Sequence, residues 1–173
     1  MMDKDIRPLR PEDWEDVRRI YQQGINKNAV TFQTSCPAWR EWDSSHLQIC
    51  RFVSVLNGKI AGWIALTPVS DRCVYAGVAE VSIYIADEAK RKGIATQLLQ
   101  KVITSSEEQG IWTLQSSIQE ENAASIGLHK KCGFREVGYR EKIARDRFQI
   151  WRNTVLMEHR SKCDDFNCCA CKN

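Results

Sequence analysis

Three things are scarce in this chain of 173 residues: long apolar runs, histidine, and a surplus of charge of either sign. No uninterrupted apolar run exceeds four residues, so no segment reads as a membrane span. The formal charge is +3, from 25 Lys and Arg against 22 Asp and Glu, without the large clustered basic excess of a dedicated nucleic-acid binder. Residues 1–7 hold no apolar segment of the secretory kind, which leads to the expectation of a cytoplasmic protein. Neither GxxxxGK[ST] nor GxGxxG occurs, so the two common nucleotide-binding loops are excluded. What is present is an ordinary globular composition, 43% hydrophobic, in a length that suits one domain. Cysteine is the exception. Cys36, Cys50, Cys73 and Cys132 are scattered, while Cys163, Cys168, Cys169 and Cys171 crowd into the end of the chain. A disulfide framework would spread its cysteines through the fold. The expected organisation is therefore a domain over residues 1–160 and a cysteine-rich, flexible tail over 161–173.

Residues 6–9 read as a short strand, and Pro11 with Glu12 and Asp13 then opens a helix. Trp14, Val17, Ile20, Tyr21 and Ile25 form its apolar stripe. A second helix is expected over about 38–49. Strands at 52–56 and 59–66 flank Asn57-Gly58, the strongest short hairpin signal, and 78–85 reads as a further strand. Ile94, Leu98, Leu99, Val102 and Ile103 mark a helix over 93–109. A strand at 113–118, a helix at 122–131 and strands at 135–143 and 148–157 follow. This order predicts a mixed α/β fold with one largely antiparallel twisted sheet flanked by helices and a parallel βαβ element in the middle. Six tryptophans are more than a small core readily hides, so an exposed pair is expected to serve an interface.

Lys90-Arg91-Lys92-Gly93-Ile94-Ala95-Thr96 lies between the strand ending at Ile85 and the helix that follows. A strand-to-helix turn presents unpaired backbone N–H groups at the positive end of the helix dipole, and glycine allows close approach, which suits a pyrophosphate. Asn122, Ser125, Ile126 and His129 share one face of their helix, where an amide and an imidazole about 10 Å apart could meet different parts of an elongated ligand. Asn122 also suits an N-cap. Within 78–85, alternation places Glu80, Ser82 and Tyr84 opposite Val81, Ile83 and Ile85, and makes Glu80 the general-base candidate.

Together these segments resemble the GNAT superfamily of N-acetyltransferases. Lys90 to Ala95 resembles its pyrophosphate loop, with lysine in the first position as a departure, and the segment from Asn122 to Gly133-Phe134 resembles its later helix. The likeness is to the phosphinothricin acetyltransferase branch, through Thr31-Phe32-Gln33-Thr34, the strand with Glu80, His129 and Trp151, over about residues 5–158. The resemblance implies a GNAT-like sheet with a βαβ cofactor-binding element, acetyl-CoA as donor, no metal, a small-molecule amine of the amino-acid type as acceptor, no nucleic-acid or membrane partner, and a homodimer. It implies Ile83, Tyr84, Ile85, Arg91, Lys92, Gly93, Ile94, Ala95, Thr96, Asn122 and Ser125 around the donor, with an oxyanion held by backbone N–H near Ile83 or Ile85. Glu80 would act as base and His129 as acid, and Phe32, Arg72 and Tyr75 would meet the acceptor. Relatives place an arginine just after the tyrosine that matches Tyr75; here that position is Ala76.

Two other readings stay open at this point. His159 with Cys163, Cys168, Cys169 and Cys171 could hold a soft metal or metalloid, although their spacing matches no structural zinc pattern. A peptide or protein N-terminus could replace the small amine.

Overall fold

Asn57 and Gly58 both take positive φ, 50° and 75°, and close a tight hairpin between β2 (Phe52–Leu56) and β3 (Lys59–Pro68). This hairpin is part of the sheet in a computed structural model that describes residues 4–163. β1 (Lys4–Pro8) pairs antiparallel with β2, and β4 (Val78–Ile85) antiparallel with β3. Helix α3 (Ile94–Glu108) then crosses over to β5 (Thr113–Gln119), the parallel partner of β4. After helix α4 (Ala123–Lys131), β6 (Arg135–Arg145) and β7 (Trp151–Arg160) complete a seven-stranded sheet of order β1-β2-β3-β4-β5-β7-β6. Every pair except β4–β5 is antiparallel. The mixed α/β class and the single βαβ element agree with the sequence reading.

Adjacent residues of β3 show the two faces of the sheet. Trp63, fully buried, packs on Tyr21 of α1 (Trp14–Ile25) and on Trp42 of α2 (Trp39–Ser45), both with ring centroids at 5.5 Å. Gly62 points the other way, where a Cβ would stand 3.3 Å from Leu98 of α3. The sheet is thus layered between α1 and α2 on one side and α3 on the other. Tyr84 of β4 stacks on Trp63 at 4.8 Å and lies so close to α1 that a Cβ on Gly24 would sit 2.6 Å from its ring. That contact seats α1 against β4.

Three expectations change. Helix α2 ends at Ser45, because Ser45 Oγ and His46 Nδ1 both bond the carbonyl of Trp42 and take over the last turn. Strand β7 starts at Trp151, because Asp146 accepts the backbone N–H groups of Phe148 and Ile150 and holds residues 146–150 as a loop. The tryptophans are largely hidden from solvent: Trp14, Trp39 and Trp42 pack on one another within 5.7 Å, and of the six only Trp151 is exposed. The chain stays docked past residue 160, since the Ser161 N–H donates to the Trp112 carbonyl. Of the tail, Cys168, Cys169 and Cys171 lie outside the described residues. Among the described residues no group of three His, Cys, Asp or Glu could hold a metal, and no helix is long and apolar enough to cross a membrane.

The entry to α1 is braced by a bidentate pair. Arg7 donates to both oxygens of the nearly buried Asp13 at 2.7 and 2.8 Å, and the N–H of Arg10 adds a third bond at 2.8 Å. The bonds from Arg7 hold the Asp13 carboxyl below its ordinary pKa, against the opposing effect of burial. A depressed folded pKa gives stability that is present above the ordinary carboxylate value and lost as pH falls through the folded one. We expect Asp13→Ala to cost about 1–2 kcal/mol at neutral pH, as partly exposed charge-assisted hydrogen bonds do. In urea titrations the deficit should shrink below about pH 4; a deficit independent of pH would remove the ion pair as its cause.

Candidate active site

Strands β4 and β5 pair over only three positions, Val78–Thr113, Ala79–Leu114 and Glu80–Gln115. Beyond Glu80 the two strands part, and residues 81–85 of β4 keep their ladder to β3 alone. The parting opens the sheet. Two clefts of about 490 and 500 Å³ lie at this gap and share Val30, Ile83, Tyr84, Asn122 and Ser125 as walls.

The second cleft runs to the turn before α3. Arg91 (φ 61°) and Gly93 (φ 78°, the N-cap) take left-handed conformations there, and the first-turn amides of a helix have no partner within it. A Cβ on Gly93 would meet nothing within 4 Å, so it is the backbone conformation rather than crowding that calls for glycine. Arg91, Gly93, Ile94, Ala95 and Thr96 line this cleft, together with Ile85 and, from α1 and the loop after it, Ile20 and Lys27. Asp87 pairs with both Lys27 and Lys90 at the same mouth. Apolar walls ending in cations and helix amides suit a molecule with a pyrophosphate at one end and a long uncharged arm. Lys92 lies on this turn but is not part of the wall.

The first cleft is the more polar in its walls. Glu80 and Ser82 line it, with Thr31 and Phe32 from the loop after α1 and His129 from α4. Gln115 donates to Glu80 Oε2 at 3.1 Å and fixes the carboxylate toward the cleft. Asn122 caps α4 by accepting the Ser125 N–H at 3.2 Å, so its capping role and its place on the wall coincide. His129 is 1% exposed and stands edge-on to Phe134. Its Nδ1 lies 2.8 Å from the Ser125 carbonyl, and a nitrogen facing a carbonyl must be the donor. In the neutral ring Nε2 is then the unprotonated nitrogen, and it is buried and without a partner among the described residues. Burial pushes the His129 pKa below the ordinary histidine value, with the bond to Ser125 opposing. His129 thus lines the first cleft with its Nδ1 committed to the backbone of its own helix.

Arg72 and Tyr75 are not brought into either cleft. They pack on each other, the guanidinium 5.6 Å from the ring, on a short exposed turn before β4. The sequence reading misses Gln119, Arg140 and Thr154, which the sheet delivers to the first cleft from three strands. Strand pairing alone connects them, and spacing along the chain does not.

The family model described as the acetyltransferase (GNAT) family matches residues 8–134. The chain is similar to the L-methionine sulfoximine/L-methionine sulfone acetyltransferase of Pseudomonas aeruginosa, 34% identical over 163 residues that cover 91% of this chain and 94% of that protein. It is also similar to the phosphinothricin N-acetyltransferase of Alcaligenes faecalis, 28% identical over 88% of this chain and 80% of that protein. An N-acetyltransferase structure from Staphylococcus aureus Mu50 matches with a TM-score of 0.81 at 27% identity, covering 91% of this chain and 98% of that one. The fold is shared as well with a phosphinothricin acetyltransferase of Sinorhizobium meliloti in complex with AcCoA, at a TM-score of 0.81, 22% identity, and coverage of 91% and 88%. By its sequence and by its fold, the chain belongs to the acetyltransferase (GNAT) family.

Proposed function

We propose that this enzyme moves an acetyl group from acetyl-CoA to the amine of a small amino-acid-like acceptor by direct attack. The observation that carries this reading is the meeting of the two clefts at Ile83, Tyr84, Asn122 and Ser125, one suited to a pyrophosphate-bearing donor and one holding a carboxylate and an imidazole. Acetyl-CoA supplies a thioester, whose carbonyl carbon takes the amine lone pair as the C–S bond breaks. The amides of Ile94, Ala95 and Thr96 with the Arg91 side chain hold phosphate, while Ile83, Tyr84 and Ile85 line the donor's acyl end. A backbone N–H of the open β4 edge, at Ile83 or Ile85, faces the carbonyl oxygen as charge develops on it.

An amine at neutral pH is mostly ammonium and cannot attack. Glu80, fixed by Gln115, takes the proton through water, and His129 Nε2 accepts a hydrogen bond from the incoming amine. Phe32 supplies an apolar wall for the acceptor. Because Arg72 and Tyr75 lie outside the cleft, they have no part in this reading. We place the enzyme in the cytoplasm, where its free Cys36, Cys50, Cys73, Cys132 and Cys163 suit a reducing compartment, and we propose a homodimer.

The direct test is an acetyl-CoA-dependent thiol-release assay over amino acids, sulfones, sulfoximines, phosphinothricin, polyamines and peptides. Turnover is expected with the amino-acid analogues; release with peptides alone would replace the small-molecule reading. Glu80→Gln should lower kcat about 10²- to 10⁴-fold with an unchanged KM for acetyl-CoA, and wild-type turnover would remove Glu80 from the mechanism. Gly93→Val should do the reverse, raising the KM for acetyl-CoA through strain at its positive φ with little change in the acceptor KM. For His129 the sign follows from its lowered pKa: the neutral form acts, so the wild-type advantage over His129→Gln stays level at and above about pH 6.5 and shrinks only on acidification below it. An advantage that grows toward acid pH would instead make His129 the acid expected from the sequence.

A further inference from the structure

The floor of the acceptor cleft carries a polar row that the chemistry above does not use. Gln119, Thr154 and Arg140 are consecutive across three strands, since Thr154 is the register partner of both Gln119 on β5 and Arg140 on β6. All three line the cleft. Gln119 is 4% exposed, and both its Nε2 and its Oε1 lack a hydrogen-bond partner among the described residues. A buried amide left this way is destabilising, so a group arriving in the cleft is rewarded for pairing with it.

Arg140 is the one cation among the residues that line this cleft, and the described residues give its guanidinium no ion pair or hydrogen bond. The other arginines of the β6–β7 hairpin are engaged. Arg135 pairs with Glu158, Arg145 lies over Trp151, Arg147 donates to backbone carbonyls and Arg152 pairs with Asp146 and Glu121. Arg140 also sits where the ladder to β7 breaks, next to a bulge that runs to Ala144. Lys142 takes a positive φ in that bulge, and Asn153 holds it by accepting the Lys142 N–H while donating to Glu120. The bulge is thus fixed, and with it the backbone that carries Arg140, an exposed residue on the wall of the cleft.

The row stands apart from the base. Gln119 is four residues beyond Gln115, the residue that bonds Glu80, which is roughly 13 Å along β5. A ligand whose amine is served from Glu80 and whose far end meets Gln119 and Arg140 is several bonds long. The Glu80 side chain, the water between it and the amine, and the reach of the Gln119 and Arg140 side chains take up part of this distance, and the group that meets the row lies farther from the amine than an α-carboxylate does, at the end of a side chain.

We propose that Gln119 and Arg140 form a subsite for the side-chain oxygen group of the acceptor, with the Gln119 amide donating to one oxygen and the Arg140 guanidinium pairing with an oxyanion. The preferred acceptors are then amino acids whose side chains end in a carboxylate, a phosphinate or another oxyanion. The subsite rests on the acetyltransferase reading and adds to it the class of side chain. It also supplies from β6 the cation that is missing at Ala76.

The test compares phosphinothricin, whose side chain ends in a phosphinate anion, with methionine sulfone, whose side chain is polar and neutral, in steady-state assays at saturating acetyl-CoA. Arg140→Gln should raise the KM for phosphinothricin at least tenfold, leave that for methionine sulfone within twofold, and change kcat little for either. Arg140→Lys should restore part of the preference. Gln119→Leu should raise both KM values, because the amide serves either oxygen group. An Arg140→Gln variant that leaves both KM values unchanged overturns the assignment. Equal loss on both substrates, relieved when each is offered as its α-carboxamide, also overturns it, because Arg140 would then read the α-carboxylate. If the wild-type enzyme binds acetyl-CoA yet acetylates no amine of the panel, the acetyltransferase reading falls and takes this subsite with it; turnover with an unaltered preference removes the subsite alone.

Discussion

Three pairs of residues hold β4 to β5, and the fourth pair does not form. Everything that gives the molecule a site depends on that early release. Had the parallel ladder continued, the edge of β4 from Val81 to Ile85 would be saturated with backbone hydrogen bonds, and there would be no gap for either cleft. The parting is maintained from both sides. Tyr84 is pinned to α1 by Gly24 and to β3 by Trp63, while β5 is drawn away by seven pairs with β7. Separating two strands forfeits hydrogen bonds, and the packing of each strand on its other neighbour offsets that loss.

The same parting explains why the polar atoms are left as they are. Of the buried side-chain N and O atoms without a partner among the described residues, half belong to Gln119 and His129, both walls of the first cleft. Native interiors pair such groups almost without exception. Concentration of the exceptions in one cleft points to a ligand. The indole nitrogens of Trp42 and Trp63 are a different case, sealed in the aromatic core, where ring against ring holds the side chains in place.

Much of this is legible in the sequence, for physical reasons that can be named. The ends of β4 are legible because alternation and a following charged turn bound it on both sides. The β2–β3 hairpin is legible in Asn57-Gly58, since few other pairs accept two positive φ values. Local signals of that kind also locate the donor turn at Gly93 and the cap at Asn122. What escapes is set by side chains competing with the backbone. Ser45 and His46 stop α2 early, and Asp146 delays β7, and neither effect has a periodicity. The acceptor wall escapes for another reason. Gln119, Thr154 and Arg140 become neighbours only through register, and a set far apart along the chain leaves no spacing to detect. Arg72 and Tyr75, by contrast, enter by likeness to relatives, and the turn that carries them faces solvent.

Asp87, shared between Lys27 and Lys90 at the mouth of the second cleft, bears on how strongly that mouth would hold an anionic carrier of the kind proposed. Coenzyme A leaving the enzyme carries every phosphate that acetyl-CoA brought in, so charge recognition there favours donor and product equally. A mouth of bare lysines would retain the spent carrier as firmly as the fresh one. By compensating two of those cations in advance, Asp87 tempers the positive field at the mouth without removing it.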